Sequence, residues 1–409
     1  MTIAQAAALL VVLTAVFAYL NARLLRLPGT IGIMLIALAA SLVLLVANEM
    51  GLPLAGVAQQ MLRGIDFNRT LMGAMLGFLL FAGALEVDLQ ELAQQRWPVA
   101  FLAVVGVLLS TFLVGTGTYV VFALLGRPIP WLWCLVFGAL ISPTDPIAVL
   151  AIIRKAGASK SLELKVAGES LFNDGVGIVV FLELLGLATG NESVHIGQSV
   201  LFFLREALGG VAFGMAIGFA AFLMLRRIDN YNVEVLITVA LVVGGYSAAE
   251  ALEVSAPIAI VVAGLIVGNY GRAHAMSQQT RAHLDTFWGL IDAMLNGVLF
   301  VMIGLEVLVL PLDFWHLVAA AVAIPIVLLA RFASVGIPAL LPLIGRCFDF
   351  HTVKVLTWGG LRGGISIALA LSLPATADRD TLVMMTYGCA LFAIAVQGLT
   401  VGRLVSRRR

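Results

Sequence analysis

Apolar runs of about twenty residues recur from one end of this 409-residue chain to the other, separated by short stretches that carry Arg, Lys, Pro or Gly. A run of that length, wound as a helix, crosses a hydrocarbon core of roughly 30 Å. In lipid only helices and closed barrels satisfy every backbone polar group. A barrel would need short segments of alternating polarity, and the sequence contains none. Hydrophobic residues make up 61% of the chain and charged residues 11%, against about 45–50% and 25% in a soluble domain. Water is not the main solvent of this protein, and the fold class that follows is an all-α polytopic membrane protein.

Hydropathy, with breaks at charge, Pro and Gly, places membrane helices at 3–20, 30–47, 70–86, 97–125, 131–153, 166–188, 200–225, 233–252, 256–270, 284–308, 314–345, 352–373 and 381–403. These thirteen spans leave no soluble domain, so residues 1–409 read as a single transmembrane domain. An odd count puts the termini on opposite sides, and cytoplasmic loops are enriched in Lys and Arg. With the C-terminus inside, 17 of the 24 Lys and Arg fall in inside loops, among them Arg23, Arg154, Lys160, Arg346 and Arg407 to Arg409. The outside keeps Arg63, Arg69, Arg127, Arg205 and Arg379, and two arginines, Arg331 and Arg362, fall within spans. The expected setting is a bacterial inner membrane, N-terminus outside and C-terminus cytoplasmic. The first span has no basic stretch before it and no small-residue cleavage site, so it reads as a retained helix.

A net charge of +1 argues against nucleic acid as a partner. Cys134, Cys347 and Cys389 stand singly in apolar runs without metal or redox spacing. No cofactor or resident metal is expected.

The chain also echoes itself. Leu80-Phe81 followed by Leu85-Glu86-Val87 in the third span matches Leu299-Phe300 followed by Leu305-Glu306-Val307 in the tenth. Spans an odd number of crossings apart run in opposite directions, as inverted-topology repeats require. The same offset pairs the fifth span, interrupted by Ser142-Pro143-Thr144-Asp145-Pro146, with the twelfth, interrupted by Gly359-Gly360-Leu361-Arg362-Gly363-Gly364. Spans 1–6 and 8–13 are then two inverted repeats, with broken helices 5 and 12 crossing.

These interruptions carry chemistry. Pro143 and Pro146 each remove a backbone donor and clash with the preceding turn, so no regular helix runs through 142–146. Freed backbone groups at membrane depth must face protein or a water-filled cavity, and Thr144 and Asp145 stand at that point. The sixth span holds two carboxylates in Gly168-Glu169-Ser170-Leu171-Phe172-Asn173-Asp174-Gly175. Helical spacing puts Ser170 with Asp174 on one face and Glu169 with Asn173 on another. Carboxylate and hydroxyl oxygens suit a hard cation, so Asp174 with Ser170 is the candidate ligand pair. Glu169 needs a positive partner, because an unpaired buried charge is costly; Arg331 and Arg362 are the two candidates. Half-helix ends meeting at the midplane leave dipole charge, which Asp145 can balance at N-termini and Arg362 at C-termini. Asp292 and Asn296, together with Glu86 and Glu306, read as interface or capping groups.

At these motifs the chain resembles the NhaP-type sodium/proton antiporters, bacterial relatives of the animal sodium/proton exchangers. The likeness rests on SPTDPIAV (142–149), GESLFNDGVGIVVF (168–181), LNGVLFVMIGLEV (295–307), the region of Arg331, and WGGLRGGISIALALSLP (358–374). The resemblance implies a homodimer in membrane lipid, with a moving ion-carrying core at 97–188 and 314–403 and a dimerisation scaffold at 1–96 and 200–308. It implies that Asp174 takes the transported Na+ and H+ in turn, with Thr144, Asp145, Ser170 and Asn173 close by, and that Glu169 pairs with Arg331. The neutral Asn173, where electrogenic relatives commonly carry Asp, implies one cation per proton. Two departures stand out. Many relatives have Glu in the third span where this chain has Ala82, and the chain ends soon after the last span, so a large regulatory domain of the animal type is not expected.

The expected activity is secondary antiport of Na+ against H+ by alternating access, with potassium the alternative cation. A passive channel would need selectivity rings around a pore, and no nucleophile and base suggest an enzyme.

Overall fold

In this computed structural model the apolar runs wind into helices, and residues 3–50, 56, 75–190, 196–340 and 348–406 are described. Arg63, Arg69, Arg346, Cys347, Arg407 to Arg409, the first residues of the expected third span (70–74) and the last of the eleventh (341–345) lie outside the described residues. The helices are α1 (Ile3–Leu20), α2 (Gly29–Glu49), α3 (Leu76–Glu86), α4 (Arg96–Leu124), α5a (Trp131–Ile141) and α5b (Ile147–Lys155), α6 (Lys160–Ala188) and α7 (Ile196–Leu225). They continue with α8 (Tyr231–Ala251), α9 (Ala256–His274), α10 (Gln278–Glu306), α11 (Phe314–Ala339), α12a (Phe350–Trp358), α12b (Gly364–Leu371) and α13 (Arg379–Ser406). No strand is present among the described residues.

Several starts are set by side chains that accept from the orphaned N–H groups of the first turn: Ser159 for α6, Ser277 for α10, Asp313 for α11 and Asp349 for α12a. Outside the membrane, the backbone N–H and the ring of His316 hold the Asp313 carboxyl below the usual carboxylate range. Length and composition do not by themselves yield thirteen crossings. Ten helices among the described residues are long and apolar enough to span, while α3 and α5a are shorter and α12 is split. For the fifth and twelfth runs the cause is local, since the two interruptions cut them into pieces too short to cross alone, while the first residues of the third span lie outside the described residues.

Packing follows the internal echo. α2 lies against α10, and α3, the partner of α10 under the repeat, lies against α9, the partner of α2. Both contacts are close for the same reason. A Cβ on Gly304 of α10 would fall 2.8 Å from the Met34 carbonyl of α2, and one on Gly268 of α9 would fall 2.8 Å from the Leu85 carbonyl of α3. Helix association in lipid draws on van der Waals packing, which small residues strengthen by letting backbones approach.

The breaks meet at the centre. Residues 142–146 and 359–363 are non-helical apart from the ends of the flanking turns, and the Asp145 N–H donates to the Leu361 carbonyl at 2.8 Å. Backbone freed by the prolines in one span is thus satisfied by backbone freed in the other, as buried polar groups require.

Candidate cation site

The crossing encloses a cavity of about 90 Å3. Three core elements give it polar groups: Thr144 and Asp145 from the first break, Ser170 and Asp174 from α6, and Ser366 from α12b. α3 contributes Leu76, Leu79, Leu80 and Gly83, and α10 contributes Leu299 and Asp292. Thr144, Ser170 and Asp174 are buried, and the Thr144 and Ser170 hydroxyls are 3.0 Å apart. The Asp174 carboxylate with the Thr144 and Ser170 hydroxyls, on a cavity whose other walls are mainly apolar, forms a hard-oxygen surface for a desolvated monovalent cation or a proton.

The second face of α6 has another use. The Glu169 carboxylate receives the Arg331 guanidinium at 2.5 Å, with both side chains buried, and Arg331 also donates to the Leu356 carbonyl at the end of α12a at 3.3 Å. Asn173 donates its amide N–H to Thr144 Oγ1 at 2.8 Å, while its carbonyl oxygen accepts from the Thr144 backbone N–H at 3.4 Å. Asn173 is therefore not a wall of the cavity. Its face of α6 points into the break, where both ends of the amide hold Thr144 in place.

The breaks also hold their charges. Arg362 is buried and donates from one guanidinium nitrogen to the Ser142 carbonyl at 2.6 Å and the Pro143 carbonyl at 2.9 Å, at the C-terminal end of α5a. A cation there opposes the partial negative charge of the helix end. Asp145 sits at the N-terminal end of α12b: a Cβ on Gly363 would fall 2.5 Å from its Oδ2. The eight-residue α12b presents positive dipole charge at that end.

Two groups escaped the reading of the sequence. Asp292 was assigned to the start of a span, but α10 begins at Gln278 and ends at Glu306, so Asp292 lies fourteen residues from each end. At 1.5 Å per residue that is about 21 Å along the helix, and a cap role is excluded. The intramembrane carboxylate argument would have found it had the charged first turns, capped by Ser277, been counted as helix. Ser366 carried no sequence signal, because a serine in an apolar run is common.

A second cavity, of about 300 Å3, adjoins the first and shares Gly83, Pro146, Leu171 and Asp292 with it. Glu86, Glu91, Glu163, Arg154 and Lys160 line its rim, joined in part by ion pairs of Arg154 with Glu163 at 3.4 Å and of Lys160 with Glu91 at 3.4 Å.

Comparison with known proteins agrees with this architecture. Residues 11–407 match the family described as sodium/hydrogen exchanger, transmembrane. A protein named Na(+)/H(+) antiporter NhaP from Pseudomonas aeruginosa is 49% identical over 403 residues, covering 97% of this chain and 95% of its own length. One named Na(+)/H(+) antiporter NhaH from Halobacillus dabanensis is 33% identical over 394 residues, covering 94% and 93%. Among solved structures, the sodium proton antiporter MjNhaP1 from Methanocaldococcus jannaschii superposes with a TM-score of 0.76 at 19% identity, covering 97% of this chain and 96% of that one. That likeness is one of fold.

Proposed function

The chain belongs to the sodium/hydrogen exchanger family, and from that premise we propose that it exchanges Na+ for H+ by alternating access around Asp174. The observation that carries this reading is a single cavity at the crossing of two broken helices, walled by Asp174, Ser170 and Thr144 and joined to a wider vestibule. A bare carboxylate is disfavoured in such a place. Asp174 is therefore occupied either by a proton or by a cation, and the two compete for it.

If only the neutralised core crosses between the two faces, exchange is obligatory and leak is small. The core is 97–188 with 314–403, and it moves against the scaffold at 1–96 with 200–308, which also pairs the two copies of a homodimer. Glu169 with Arg331 ties α6 to α11, and this pair keeps the moving helices together. Asp145 and Arg362 neutralise half-helix ends, and Asn173 is neutral and engaged. One exchangeable carboxylate remains on α6, which supports electroneutral exchange of one Na+ for one H+. The membrane is the bacterial inner membrane, with the vestibule on the cytoplasmic side that carries Arg154 and Lys160.

The test uses proteoliposomes with an acidic interior. External Na+ alkalinises the interior, the rate is insensitive to imposed voltage, and Asp174→Asn abolishes it; K+ in place of Na+ measures selectivity. Because protons and Na+ compete, acidifying the cation-binding side raises half-saturating Na+ by about tenfold per pH unit once the site is mostly protonated, with the maximal rate unchanged. Wild-type exchange by Asp174→Asn would overturn the choice of site, and no response to any cation would overturn antiport.

A further inference from the structure

Among the described residues, every polar group on the inner cavity except one belongs to helices 5, 6 and 12. The exception is Asp292, which α10 carries to the cavity from the scaffold side, where the other lining residues are leucines and Gly83. Asp292 is half-buried midway along its helix, and among the residues common to the cavity and the vestibule it alone is polar. A carboxylate at membrane depth is costly and marks an ion path. Ser366, which also lines the cavity, is 1% exposed, and its hydroxyl has no hydrogen-bond partner among the described residues. A buried hydroxyl without a partner costs free energy, so this one has a ligand to meet in the cavity it lines.

Among the described residues no group of three His, Cys, Asp or Glu side chains could hold one ion together. Asp292 is therefore not a third carboxylate on an ion already held by Asp174 and Asp145. It occupies a separate position, at the threshold between the wide vestibule and the narrow cavity.

We propose that Asp292 is a second cation stop, which takes the monovalent cation from the vestibule and passes it across the Ser366 hydroxyl to Asp174. The proposal rests on the antiport reading above. Since Asp292 stands on the scaffold and Asp174 on the core, the hand-over is available only in the conformation that opens to the vestibule, and it sets how readily the site fills from that side.

The experiment measures Na+-driven proton movement in proteoliposomes over a series of Na+ concentrations applied from the vestibule side. The full-length wild type is compared with Asp292→Asn, Asp292→Glu, Ser366→Ala and Asp174→Asn. Asp292→Asn raises half-saturating Na+ by about tenfold, equal to about 1.4 kcal/mol, a larger change than any fall in maximal rate. Asp292→Glu keeps the charge and stays within about twofold of wild type, and Ser366→Ala raises half-saturation about threefold. A packing role for Asp292 would instead lower the maximal rate and would not be rescued by Glu, whose extra methylene is as foreign to the site. Half-saturation unchanged in Asp292→Asn, with Asp174→Asn silent, overturns this proposal and leaves antiport at Asp174 standing. Should Asp292→Asn fail to fold, Ser366→Ala decides alone, an unchanged half-saturation overturning the hand-over. Wild-type exchange by Asp174→Asn overturns the underlying reading.

Discussion

The two breaks lie at matching places in the two repeats and are built from opposite materials. Residues 142–146 are interrupted by prolines, which forbid the helix, and the residues between them carry side chains to the cavity. Residues 359–364 are interrupted by glycines, which permit other chains to come close. Gly360 lies against the Arg331 guanidinium, 2.8 Å from Nε to the Cβ it lacks, and Gly363 lies against the Asp145 carboxylate. The first break supplies groups and the second supplies room for them. The Arg362 side chain reaches from the second into the first, where it covers the Ser142 and Pro143 carbonyls. An inverted repeat conserves the crossing, because backbone must meet backbone, while the side-chain work divides unequally.

Four substitutions test that division, the largest expected effect first. Arg331→Gln strands a buried Glu169 beside the second break and costs about 3–5 kcal/mol. Thermal unfolding in detergent measures it, and the double variant with Glu169→Gln recovers part of the loss. Arg362→Gln removes a charged donor from two buried carbonyls and costs about 1.5–3 kcal/mol; a fully stable and active variant would mean that the first break does not depend on the second. Gly363→Ala forces the Asp145 carboxylate to shift, at about 1–3 kcal/mol, with a fall in exchange rate that Leu361→Val does not share. Pro146→Ala keeps Pro143 to hold the break and lifts the restriction on the unfolded chain, at about 0.4–1 kcal/mol. If Pro146→Ala is the more damaging of the last two, the assignment of room to the glycines and groups to the prolines is reversed.

Much of the site was legible because a helix is a local object. At about 100° per residue, spacing alone put Ser170 with Asp174 and turned Glu169 with Asn173 away, and the structure places the first pair on the cavity and the second pair off it. Helix termination by proline and glycine is local as well, so both interruptions could be seen in advance. Spacing could not supply the partner of Asn173, because Thr144 is 29 residues away. Asp292 was misjudged because hydropathy ends a span where charge begins, whereas α10 runs on through its charged first turns from a Ser277 cap.

What the sequence determined by itself is the solvent, the helices, the positions of the breaks and the face on which each α6 residue lies, all properties of neighbours within a few turns. What only the tertiary structure decided is which distant group answers each one. Glu169 takes Arg331 across 162 residues and leaves Arg362 to the Ser142 and Pro143 carbonyls. Two arginines of equal charge and similar depth are interchangeable to a reader of the chain. Helix packing separates them, seating Arg331 between Glu169 and the Leu356 carbonyl and Arg362 against the Ser142 and Pro143 carbonyls.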